Sequence, residues 1–234
     1  MSRSTKWSIL FGIFAVLLGG YAILFLPSDR EVKSLGIFVF KLTPFFLAAL
    51  AISLFDPDLF KRLRVTVPIA YFCFAVFFFF YVPKMFFDIA FRDAGNVYYM
   101  TLLMVPFLIL SFALMFRMGG GSTGTVLRIT IGLLILMLSG IEDLAFLTLN
   151  PHEIGSKYNP IPEVWSWASH MKVRIGHYPT KNEAFVFIGV HVVLATIIAF
   201  YHFRWLQPIG RYLGVYENAE PQTDQPSREA FARS

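Results

Sequence analysis

Residues 7–26, WSILFGIFAVLLGGYAILFL, carry no charged side chain over twenty positions. A helix rises 1.5 Å per residue, so this stretch reaches about 30 Å, the thickness of a bilayer's hydrocarbon core. Backbone N–H and C=O groups in lipid must be paired within the segment itself, which makes a helix the default reading. Arg3 and Lys6, the apolar run and the small residues of GGYA also resemble a secretory signal. The apolar residues continue through ILFL without a polar break, and an uncleaved first helix is expected.

Working outward, the same signal recurs at 35–55, 65–82, 97–116, 126–149 and 184–206. Only 15% of the 234 residues are charged and 56% are hydrophobic. A soluble domain has close to a quarter charged, so the reading is all-α, a polytopic membrane protein with six spans. Pro27, Pro57, Pro83 and Pro151 stand at span ends, whereas Pro44, Pro68 and Pro106 fall inside spans. A transmembrane domain over 1–216 is followed by a polar, proline-containing tail, 217–234, with too few apolar residues to build a core.

Lys and Arg in the short loops set orientation. Arg3, Lys6, Lys61, Arg62, Arg64, Arg117, Arg204 and Arg211 collect on one side. Arg30, Lys33, Lys84 and Arg92 on the other are diluted by acidic neighbours. This bias predicts cytoplasmic termini in a cell membrane, with the long loop 150–183 outside. The net charge of +5 is dispersed over span ends and does not form a nucleic-acid stripe. The single cysteine, Cys73, lies in a span and reads as a packing residue.

The chemistry concentrates near SGIEDLAFLTLNPHEIG, 139–155. Glu142 and Asp143 interrupt the fifth span seven and six residues before its end, about 10 Å below it. Charges there cost about 2.5–3.5 kcal/mol each on insertion scales, which makes them a functional hypothesis. The sixth helix opens with TKNE, in which Thr180 and Glu183 form a capping box. His191 then lies about 16 Å down that helix, near the depth of the carboxylates, and is expected to face them. Lys41, in the second span, either snorkels or pairs with Glu142.

The loop 150–183 is long and apolar, and reads as a lid over the outer mouth. Pro162 and Glu163 suggest the first turn of a short helix running to His170. Thereafter HMKVRIGHY alternates, with His170, Lys172 and Arg174 on one side, as a short strand would. Trp165 and Trp167 suit the interface. Four of the five histidines (His152, His170, His177, His191) fall on this side near carboxylates. They and the carboxylates are ligand types for zinc, iron or manganese, and histidine is also the usual acid–base group at neutral pH. No HExxH or CxxC spacing supports a metal locally.

Ser122 belongs to an inner loop and cannot meet His191, which excludes a Ser–His protease pair. No second span offers a histidine for bis-His haem ligation. The expected function is a membrane-embedded enzyme with an outward-facing site acting on a lipid-like or isoprenoid-like substrate. Glu142, Asp143 and His191 are the catalytic candidates, and those three with His152, His170 and His177 form the metal candidates. Lys41, Trp165, Trp167 and Arg174 are the substrate contacts. The alternatives are a proton- or cation-coupled transporter or channel, and a non-catalytic subunit or assembly factor with a partner membrane chain. Oligomeric state is left open.

Overall fold

A computed structural model describes residues 2–26, 32–63, 65, 68–69, 72–73, 76–77, 81, 94–149, 160–201 and 207–213. Its elements are helical throughout: α1 (Arg3–Phe25), α2 (Leu35–Leu54), α3 (Pro57–Leu63), α4 (Ala94–Met118), α5 (Thr123–Met137), α6 (Ile141–Leu149), α7 (Ser169–Ile175), α8 (Lys181–Phe200) and α9 (Gln207–Tyr212). Three of them, α1, α2 and α8, are long and apolar enough to cross a membrane, and the bent pair α5–α6 makes a fourth if it is one span. The chain is an all-helical, membrane-embedded protein. The third expected span, 65–82, and the tail, 217–234, fall mostly or wholly outside the described residues. The fourth corresponds to α4, whose section Leu103–Met118 is apolar.

The helices α2, α4 and α5 meet around buried Ala49, Ile109 and Leu134, with Phe45, Val105 and Met137 packed beside them. Helix α1 lies along α2, and the Ser8 hydroxyl donates to the Ala51 carbonyl at 2.6 Å. Helix α8 lies along α5, where Gly132 lets the two backbones approach: a Cβ there would sit 3.1 Å from the Ala195 carbonyl. Close contact of small residues is what holds helices together where lipid offers no hydrophobic driving force. At the opposite end from the 160–180 segment, Arg117 donates to the Phe55 carbonyl (2.8 and 2.6 Å) and to the Gly121 carbonyl (2.7 Å).

Helix α8 begins as its sequence predicts. Thr180 accepts from the Glu183 N–H, and the Glu183 carboxylate accepts from the Thr180 N–H at 2.8 Å, closing the capping box. Thr180→Ala is expected to cost about 1 kcal/mol, read as a small fall in the thermal midpoint in detergent.

Two local expectations are overturned. Residues 160–168 are not helical. Instead Val164 and Thr180 form an antiparallel bridge, in which the Trp165 N–H donates to the Pro179 carbonyl and the Lys181 N–H to the Glu163 carbonyl, both 2.9 Å. The following stretch is a helix, α7, where alternation suggested a strand. It ends on Gly176, which adopts φ 100 and donates its N–H to the Lys172 carbonyl.

Candidate functional site

The fifth span is not one helix. Its axis turns by 54° between α5 and α6, at Leu138–Gly140. The Ser139 hydroxyl donates back to the Leu136 carbonyl (2.6 Å) and accepts the Ile141 N–H (3.1 Å), while Gly140 takes φ 76. Positive φ of this kind is nearly strain-free only for glycine. The break changes the meaning of the two carboxylates. Glu142 and Asp143 are first-turn residues of α6, not mid-helix charges. A helix N-terminus carries unpaired N–H groups and the positive end of the macrodipole, so acidic side chains are favoured there.

Helix α7 covers this break. Its inner face belongs to a buried cluster of Leu147, Trp165, Ala168, Met171, Ala184 and Ile188, which joins α6, the 160–168 segment and α8. Ser169 accepts the Val32 N–H at 3.2 Å, tying the residues before α2 to the same cap.

Arg174 stands at the centre. Its Nε donates to the His170 carbonyl one turn back (2.8 Å), Nη2 donates to the Leu138 carbonyl in the break (2.9 Å), and Nη1 lies 3.2 Å from His191 Nε2. The His191 Nδ1 is 2.8 Å from the Phe187 carbonyl. A carbonyl only accepts, so Nδ1 carries the proton and Nε2 offers its lone pair to Arg174. The guanidinium also lies over the rings of Phe187 (4.4 Å) and Phe38 (5.3 Å), and Phe187 stacks on His191 at 4.2 Å. Burial pulls the Arg174 guanidinium down to about 10, partly offset by the Glu142 carboxylate nearby. It remains a cation at neutral pH.

His170 completes the group. Burial, then the charge of the Arg174 guanidinium, hold its imidazole down to about 4. Its Nε2 is buried beside Gly140 and has no hydrogen-bond partner among the described residues. The linkage follows from the lowered value. Below about 6.5 the unfolded chain binds a proton that the folded chain refuses until about 4. This contribution to stability is therefore complete above about 6.5 and lost as pH falls towards 4. The loss is about 2 kcal/mol after allowance for partial exposure. Melting from pH 7 to 4 should be steeper for wild type than for His170→Gln. Parallel curves would remove His170 as the cause.

The candidates named from sequence divide clearly. Glu142, His170, Arg174 and His191 do come together, with Arg174 standing where a carboxylate was expected to face His191. Asp143 accepts from the Trp167 indole and is held at the side. Trp165 is fully buried, stacked on Trp167 at 5.5 Å, and belongs to the core. His177 is exposed beyond α7, 3.8 Å from Glu183. Lys41 is half-buried on α2, one turn from Phe38. His152 lies outside the described residues. Among the described residues no three His, Cys, Asp or Glu side chains are placed to hold a metal ion. The five described members of the metal set are therefore not gathered at one point: His177 lies beside Glu183, and it is Arg174 that meets His191.

Comparison with known families, characterised proteins and solved structures finds no match for the chain. Function therefore rests on the cluster's own chemistry: a fixed cation, two imidazoles and a nearby carboxylate beside a break in an apolar helix.

Proposed function

We propose that this chain is a membrane-embedded enzyme that performs acid–base chemistry on a lipid-like or isoprenoid-like substrate. In this reading it is a six-span cell-membrane protein with cytoplasmic termini, and the site opens outward beneath the 150–183 loop. Glu142 is the proton acceptor or donor at the rim. Arg174 fixes the substrate's polar end, and His191 holds Arg174 in place through its lone pair. His170, neutral at ordinary pH, offers a ring N–H or lone pair to the substrate. The observation that carries the reading is the convergence of Glu142, His170, Arg174 and His191 at a break in an apolar helix, since ionisable groups gathered at one partly buried point are candidates for acid–base work.

Total lipid extracts from cells expressing wild type, Glu142→Gln or no protein test it. A lipid species that rises or falls with wild type only is the expected result. Identical profiles in all three would leave the enzyme reading without support. A second reading, a non-catalytic subunit, is favoured by the bare apolar face of α8, where Val186, Val190, Val193 and Ile197 are exposed. Co-purification of a stable partner chain, unaffected by Glu142→Gln, would favour that reading instead.

A further inference from the structure

The guanidinium of Arg174 is bonded in an unusual way for a half-buried cation. All three of its hydrogen-bond acceptors are neutral: two carbonyls and an imidazole nitrogen. No carboxylate oxygen among the described residues lies within the 4.0 Å of an ion pair. Glu142 acts on it only at longer range, and Asp143 is held by Trp167. Removing a cation from water without a direct counter-charge is costly. Of the five N–H groups of an arginine, three are engaged and two remain among the described residues.

Beside them lies a second unsatisfied group. The buried Nε2 of His170 has no partner among the described residues, and it lies against Gly140, where even a Cβ would come within 3.1 Å of it. Its charged form is suppressed, so in the Nε2–H tautomer it is a neutral donor in search of an acceptor. A fork of guanidinium N–H groups with an adjacent imidazole N–H matches one ligand chemistry, an oxyanion, and arginine is the side chain whose planar fork fits it bidentately.

We propose that Arg174 and His170 form an oxyanion subsite at the α5–α6 break, which takes a phosphate or carboxylate group of the substrate. The proposal rests on the enzyme reading above for the word substrate, but the binding is tested apart from turnover. The phosphate of an anionic lipid headgroup and free inorganic phosphate share this chemistry, and the experiment separates them.

The full-length chain is purified in an uncharged detergent, and its thermal midpoint is followed with inorganic phosphate, with phosphatidylglycerol in mixed micelles, and with diacylglycerol of the same chains as the uncharged control. Wild type is expected to gain several degrees with phosphatidylglycerol, with inorganic phosphate, or with both, and none with diacylglycerol. A response to the lipid alone assigns the headgroup as the source, and a response to phosphate alone assigns the free ion. The gain should vanish in Arg174→Gln and fall by at least half in His170→Phe, which keeps the ring's bulk and decides the matter if Arg174→Gln does not fold. Glu142→Gln should keep the gain in full, so retained binding with an unchanged lipid profile would overturn catalysis and leave the subsite standing. No gain with either probe in wild type, or an equal gain in wild type and both variants, overturns the proposal.

Discussion

Arg174→Leu is expected to destabilise the chain by about 4 kcal/mol. The side chain joins three elements through the carbonyls of His170 and Leu138 and the Nε2 of His191. A leucine fills part of the volume but leaves the Leu138 carbonyl and His191 Nε2 without that donor, at about 1–3 kcal/mol for each buried group left unsatisfied, while the His170 carbonyl keeps its bond from the α7 backbone. Water reaching the half-buried rim recovers some of that, which sets the total below the sum. The Leu138 carbonyl recovers least, because the helix break has already removed the N–H that a continuous helix would supply. Arg174→Lys keeps the charge yet has no planar fork, and reaches one or two of the acceptors at most, so about half the loss is expected. Thermal unfolding in detergent, followed by tryptophan emission from the Trp165–Trp167 stack, measures both. A midpoint for Arg174→Leu indistinguishable from wild type would mean that α7 is held by its apolar face alone.

The membrane class was legible because it depends on composition and run length, which survive any error in detail. The capping box of α8 was legible because Thr180 and Glu183 are local and their spacing is the mechanism. The break at 138–140 was hidden by hydropathy, since residues 126–149 read as one apolar run. The signal was present in LSGIED: a serine and a glycine that end one helix, then two acidic residues that suit the first turn of the next. Helix α7 was hidden for a different reason. Seven residues alternating polar and apolar fit a strand, but His170 and Arg174 are also one helical turn apart, and Met171 and Ile175 share the next face round the helix. Only the packing of Met171 and Ile175 in the cluster around Trp165 decides between the two. The role of Arg174 had no local signature, because two of its acceptors, Leu138 and His191, are 36 and 17 residues away.

Gly140→Val is expected to separate α7 from the break, with a loss of about 3–4 kcal/mol. Two independent costs add here. The residue holds φ 76, a left-handed conformation that costs a side-chain-bearing residue about 1–2 kcal/mol, and more when it is β-branched. The new Cβ would also run into the Met171 Cε methyl and lie 3.1 Å from His170 Nε2. Met171 is a flexible side chain, but it is fully buried within the cluster around Trp165. Relief therefore comes from moving α7 as a whole, and that movement stretches the Arg174 bond to Leu138. Gly140→Ala meets the same backbone cost and the same Cβ contact without the branch, and should lose about 2 kcal/mol. Gly189→Ala is the contrasting case: it sits mid-way along α8 with nothing within 4 Å of its added Cβ, and should be neutral or slightly stabilising. The order of midpoints is then Gly189→Ala at or above wild type, Gly140→Ala lower, and Gly140→Val lowest. In Gly140→Val the pH-dependent loss assigned to His170 should also shrink, because an imidazole released from the break regains water and its ordinary affinity for protons. If Gly140→Val melts like wild type and keeps that pH profile, the left-handed turn is not what holds α7 over the carboxylates.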